Sequence, residues 1–148
     1  MKRELDKLLC EKYPKIFAER HAPMTQTAMC WGFECDDGWF DIINTLCGNI
    51  QNYIDWQNKT GKNAEQVVAE QVKEKFGTLR FYYHGGDDYI RGLVTMAESM
   101  SGLTCEVCGK PGSLNDGGWF RTLCEEHRAI DNALSEMVNQ NQQLGLYD

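Results

Sequence analysis

Four residues in the last third of the chain have the types and spacing to hold a metal ion. Cys105 and Cys108 stand two residues apart, Cys124 and His127 stand two residues apart, and fifteen residues separate the pairs. Two close pairs at this distance can present three thiolates and one imidazole to a single tetrahedral centre, which is the chemistry of a zinc site. Zinc is a borderline-soft cation that takes deprotonated sulfur and neutral imidazole well. Gly109, directly after the second cysteine, supplies the left-handed backbone that a tight ligand turn uses. The expected ligands are therefore Cys105, Cys108, Cys124 and His127, around one structural Zn2+. Four protein ligands complete a tetrahedron, whereas a catalytic zinc keeps a position open for water or substrate. The alternative, four unliganded side chains, leaves the agreement of spacing and turn chemistry without a cause.

The elements around this site follow from periodicity. The metal pairs bracket Lys110-Pro111-Gly112 and Asn115-Asp116-Gly117-Gly118, two turn signals, with Trp119 to Leu123 as a short strand between the second turn and Cys124. A cysteine knuckle, an intervening hairpin and a helix seeded at Cys124 make a treble-clef-like segment over 103–138. Ile130, Leu134, Met137 and Val138 carry the helix, and 139–148 reads as a frayed polar tail. Upstream, residues 36–102 read as a helix-hairpin-helix core. Asp36 or Asp37 is placed to cap a helix running to about Gln57, with Trp39, Ile43, Leu46, Ile50 and Tyr53 on its apolar stripe. Gly77-Thr78 suits a type II′ turn joining two strands. Residues 64–71 read equally as helix or strand. Asp87 and Asp88 cap the next helix, which ends at Ser101-Gly102 with glycine in the left-handed conformation. Residues 1–35 form an N-terminal helical segment, split or kinked at Pro14, followed by a loop. The whole is one α+β domain, with helices around a small antiparallel hairpin or sheet.

In the II′ register Val72, Phe76, Leu79, Phe81 and Tyr83 face inward, while Lys73, Lys75, Arg80, Tyr82 and His84 face outward. Phe76 then opposes Leu79, Lys75 opposes Arg80, Lys73 opposes Tyr82 and Gln71 opposes His84. Two cations opposite each other repel, so something must offset them. An external anion, an acidic neighbour in the same chain or plain solvation would do so, and Tyr82 adds a stacking surface. Glu74 falls on the apolar parity and fits that register poorly. His84 and Asp87 could form the start of a catalytic pair, against the simpler reading of Asp87 as a helix cap.

Composition bounds the function. The chain has 148 residues and a formal net charge of −7, which argues against a sequence-independent duplex-DNA binder. It shows no run of apolar residues long enough to span a membrane and no secretory leader, and reads as cytoplasmic. Of seven cysteines, Cys10 and Cys47 read as core, and Cys30 and Cys35 have no paired spacing. Trp31, Trp39, Trp56 and Trp119 read as core or interface anchors.

The runs Val72-Lys73-Glu74-Lys75-Phe76-Gly77-Thr78-Leu79-Arg80-Phe81-Tyr82-Tyr83, Ala97-Glu98-Ser99, Cys105-Glu106-Val107-Cys108-Gly109-Lys110-Pro111-Gly112 and Gly118-Trp119-Phe120-Arg121-Thr122-Leu123-Cys124-Glu125-Glu126-His127 carry a resemblance, to which Gly38-Trp39-Phe40 adds. Over roughly 36–127 the chain resembles a group of small uncharacterised zinc-binding proteins of tailed bacteriophages and prophages. The resemblance implies a setting, a bacterial cytoplasm during infection, and brings no catalytic residues. The leading expectation is an accessory binding or inhibitory protein acting on a host protein or a host signalling nucleotide. The alternative is a nucleic-acid-associated module using the hairpin face with Lys110, Arg121 and Arg128. A third reading is a small hydrolase or nucleotide-modifying enzyme built on His84 and Asp87.

Overall fold

The computed structural model describes residues 1–115 and 117–145. Four helices and two small sheets make an α+β fold. Helix α1 (Arg3–Lys12) stops where Pro14 could not donate to the next turn, and residues 14–21 continue as irregular turns. Leu9, Tyr13, Ile16 and Phe17 still reach the core across this break, while Leu8 stays exposed. The stretch read as a plain loop contains strand β1 (Phe33–Glu34), which pairs in parallel with β2 through Phe33–Val72 and Glu34–Lys73. Two residues carry no periodicity, so nothing in the sequence marks β1.

Helix α2 (Phe40–Lys59) follows a 3-10 turn over Asp37–Trp39 and buries Ile43, Leu46, Cys47, Ile50 and Ile54. Its start has no side-chain cap, contrary to the expectation for Asp36 and Asp37. Asp37 instead accepts from the Lys2 backbone N–H at 2.7 Å, and Asp36 faces Arg121 at 3.4 Å. The backbone of Gly38 takes over the anchoring, donating to the Glu106 carbonyl at 2.6 Å. A Cβ there would lie 2.1 Å from the Cys105 carbonyl oxygen, so only glycine admits the approach.

Strands β2 (Val68–Lys75) and β3 (Thr78–His84) form the antiparallel hairpin, so residues 68–71 are strand. The turn is Phe76-Gly77, and not Gly77-Thr78: both have positive φ, 53° and 84°, the pattern of a type I′ turn. The register therefore moves by one residue at the turn, pairing Lys75 with Thr78, Glu74 with Leu79, Lys73 with Arg80, Val72 with Phe81 and Gln71 with Tyr82. A bulge at Glu70 then brings Val68 opposite His84. Phe76 leaves the core for the turn, while Val72, Leu79 and Phe81 are buried as expected. Glu74 does lie on the inner parity, and its carboxylate accepts from the Gly77 N–H at 2.8 Å.

Helix α3 (Asp88–Ser101) is capped by Asp87, which accepts from the Ile90 N–H at 3.2 Å. Its end departs from the expected left-handed glycine, since Gly102 has φ −70°. The buried Ser101 hydroxyl accepts from the Leu79 N–H at 2.8 Å, tying the helix end to the hairpin. Strands β4 (Ser113–Leu114) and β5 (Thr122–Leu123) form the second sheet. The turn expected between them includes Asp116, which lies outside the described residues. Helix α4 (Glu125–Gln143) runs five residues past the expected end, and residues 146–148 of the expected frayed tail lie outside the described residues. The core is one cluster joining α1, α2, the three-stranded sheet and α3, with a smaller one of Cys105, Leu123 and Cys124. Among the described residues no helix is long and apolar enough to cross a membrane.

Two glycines test this packing in opposite directions. Gly38→Ala should lose about 1–3 kcal/mol in urea unfolding through the forced contact with Cys105. Gly92→Ala, inside α3 with nothing within 4 Å of the added Cβ, should gain about 0.4–1 kcal/mol.

Candidate metal centre and the hairpin face

The knuckle is built by backbone bonds that bend the chain around its sulfurs. The Gly109 N–H donates to the Cys105 carbonyl at 2.9 Å, and the Cys105 N–H donates to the Lys110 carbonyl at 2.8 Å. Gly109 has φ +79°, as its place after the second ligand requires. The other pair sits at a helix start: Cys124 is the N-cap of α4, its sulfur accepting from the His127 N–H at 3.5 Å. Thus the β4–β5 hairpin spans the distance between a turn and a helix, and the four ligand side chains converge.

Their ligand atoms all lie within 4.8 Å of one another. The Cys108 and Cys124 sulfurs are 3.8 Å apart, and His127 turns Nδ1 to Cys124 Sγ at 3.1 Å and to Cys105 Sγ at 3.6 Å. A tetrahedron with metal–sulfur bonds of about 2.3 Å has sulfur–sulfur edges of about 3.8 Å. The donor set and its spacing therefore fit one metal ion. Burial pushes the Cys105 thiol up, but N–H groups of Cys124, Cys108 and Val107 outweigh it and bring the thiol down to about 7. The Lys110 N–H lowers the Cys108 thiol, but burial and the Cys105 and Cys124 sulfurs outweigh it and raise it. Outside the cluster, burial, with Asp6 beside it, pushes Cys10 up to about 12, and burial, with Glu106 near it, pushes Cys35 up to about 12. Burial raises Cys47 too. Cys30, half-buried, directs its Sγ at the Thr27 carbonyl at 3.3 Å.

The metal segment is fastened to the core at several points. Trp39 Nε1 donates to the Thr104 carbonyl at 2.9 Å, and the Asp36 N–H donates to the buried Glu106 carboxylate at 3.0 Å. Thr122 Oγ1 donates to the Gly77 carbonyl at 2.6 Å, joining the segment to the hairpin turn. Arg121 pairs with Asp131 at 2.7 Å, and Lys110 lies 3.9 Å from Glu126, so both cations have carboxylate partners in the chain. Arg128 donates to the Ser113 and Leu123 carbonyls. These three side chains serve the segment's own structure.

On the hairpin, the outward residues Lys73, Lys75, Arg80 and Tyr82 share one face, and the opposed cations are Lys73 and Arg80 in place of Lys75 and Arg80. Among the described residues none of the three cations has a carboxylate oxygen within 4.0 Å. Glu34 lies across from Lys73 on β1, but its carboxylate accepts from Gln71 Nε2 at 3.3 Å. His84 is different in kind. It sits 2.9 Å from Glu70 and 3.9 Å from Glu19, so acidic neighbours already answer it. Asp87 is engaged by the Ile90 N–H and by the Tyr53 hydroxyl at 2.5 Å, the latter holding its carboxyl below the usual range. His84 and Asp87 therefore face different partners.

Aromatic side chains extend the cationic face in a way the strand pattern did not indicate. Phe76 is 64% exposed and meets Phe120 edge-on with ring centroids 6.4 Å apart, while Trp119 is 81% exposed. With Lys73, Glu74 and Lys75 these rings line a groove of about 450 Å3. Lys75 Nζ lies 5.7 Å from the Phe76 ring centre. Of the four tryptophans only Trp39 is buried, the other three being exposed. Glu74 lies on the inner parity in either register, so its misfit did not distinguish the two turn positions. No protein-family model, curated protein or solved structure matches the chain.

Thiol chemistry checks the grouping of the cysteines. Alkylation mapped by peptide mass spectrometry should be slow at Cys10, Cys35 and Cys47 in the native protein. Adding a strong chelator should expose Cys105, Cys108 and Cys124 together. Unchanged labelling of all three after chelation would contradict a shared ion.

Proposed function

We propose that the protein is a non-catalytic accessory binding module of the phage type, clasped by one structural Zn2+, whose working surface is the outward face of the hairpin. The observation that carries this reading is the pairing of Lys73 with Arg80 on adjacent strands, with Lys75 beside them, in a chain of net charge −7. Opposed like charges cost stability in a sheet, and an anion seated over them converts that repulsion into affinity. A nucleotide-like anion or an acidic patch on a host protein satisfies the face. Zinc is the ion that suits three thiolates and an imidazole in a closed tetrahedron, and its chemistry here is to hold the fold.

A second reading has support of its own. Exposed Phe76, Trp119 and Phe120 beside two lysines suit the bases and phosphates of single-stranded nucleic acid, where stacking on aromatics supplies about 1–3 kcal/mol per base.

Titration calorimetry at low salt with a nucleoside triphosphate, an acidic peptide and an oligothymidylate separates these ligands. Binding through the face should weaken about tenfold in Arg80→Ala and in Lys73→Ala, and should fall with added salt. Equal affinity of both variants and wild type for every ligand bound removes the face from the function. For the metal, elemental analysis should return one zinc per chain. Cys108→Ser, at an exposed side chain where packing loss is small, should lower the melting temperature. A metal-free protein of unchanged melting temperature would refute the clasp.

A further inference from the structure

Helix α4 is nineteen residues long and has no buried residue. Ile130, Leu134, Met137 and Val138 recur at the spacing of one helical face and are 49%, 57%, 58% and 50% exposed. Little within the helix itself offsets that exposure. Asn132, Asn139 and Asn141 are poor helix formers, and no ion pair runs between two residues of α4 among those described. A helix of this make-up draws its stability from covering its apolar face rather than from propensity.

The same chain leaves a second apolar surface uncovered. Between α2 and α3 runs a groove of about 250 Å3, lined chiefly by Ile42, Leu46, Leu93, Met96, Ala97 and Met100. Met96 is 65% exposed and Met100 50%. Two packed helices with an open furrow offer the seat that a third amphipathic helix takes, read by anchors at i, i+4 and i+7. Methionines suit such a seat because their side chains adapt to the incoming shape.

The two surfaces leave the molecule from neighbouring places. Helix α3 ends at Ser101, four residues before Cys105, and Cys105 clusters with Cys124, the cap of α4. We propose that the protein pairs with a second copy of itself, the Ile130–Val138 face of each α4 lying in the α2–α3 groove of the other copy. A two-fold axis near the metal ends lets both contacts form at once, so each uncovered surface is the other's cover and the assembly closes. A second copy brings both the helix and the groove that the first copy leaves uncovered. Since each copy carries −7, pairing driven by apolar burial persists or strengthens as salt rises, the opposite of anion binding at the hairpin.

Sedimentation equilibrium of the full chain across a concentration series tests this, with two single variants at exposed side chains, Leu134→Glu and Met96→Glu, checked for native circular dichroism. The wild type should dimerise, and each variant alone should weaken association by about tenfold or more, because a carboxylate enters an apolar contact. An equimolar mixture of the two should associate more strongly than either alone: the mixed dimer retains one contact between an unaltered helix and an unaltered groove. A wild type that stays monomeric at every concentration overturns the proposal. So does a mixture showing no gain, or loss of pairing in Leu134→Glu with none in Met96→Glu, which would place α4 against α4.

Discussion

The structure depends on a seam where backbone meets backbone. The Gly38 N–H reaches the Glu106 carbonyl at 2.6 Å, in a space where a Cβ would stand 2.1 Å from the next carbonyl. The start of α2 and the cysteine knuckle thus lie closer than any side chain permits, and Trp39 and Asp36 close the seam on either side. Neither half explains itself alone. The first turn of α2 lacks a capping side chain, and the knuckle is a short loop with almost no core of its own. A metal ion held by the four clustered side chains from the two segments would supply the order that so small a cluster of apolar residues could not.

Charge is distributed unevenly over this frame. An acidic chain pairs Lys110, Arg121, Arg20 and Arg91 with carboxylates and flanks His84 with two, yet among the described residues none lies within 4.0 Å of Lys73, Lys75 or Arg80. With twenty-two acidic residues available, that arrangement is a local exception, and it coincides with the most exposed aromatic rings. The cations lie on paired strands, where backbone hydrogen bonds fix the spacing of their Cα atoms.

The convergence of Cys105, Cys108, Cys124 and His127 was legible because residue type and spacing are both strict in such a cluster. The α+β character, the long second helix, the hairpin and the Asp87 cap were legible from period and capping chemistry. What escaped has physical reasons. Strand β1 has two residues and no period to detect. The turn was misplaced because Gly77 accepts positive φ in either position, and it is Phe76, a residue that rarely adopts φ +53°, that distinguishes them. That one-residue shift exchanged a core phenylalanine for an exposed one and re-paired the cations. Gly102 shows the converse: a glycine after a helix permits the left-handed conformation without enforcing it. Exposure of Trp119 and of the α4 stripe was not legible either, since apolar periodicity reports which residues want cover and leaves open whether the chain itself provides it.

The bond from Thr122 Oγ1 to the Gly77 carbonyl places one hydroxyl between two otherwise separate pieces of chemistry. Thr122 is fully buried two residues before a metal ligand, and Gly77 is half of the turn that sets the hairpin's register. Ordering of the metal segment and ordering of the turn are therefore thermodynamically linked, and linkage runs both ways with the same coupling factor. An ion held by the four clustered side chains would therefore respond to whatever steadies the hairpin from outside, at a surface that touches none of the four.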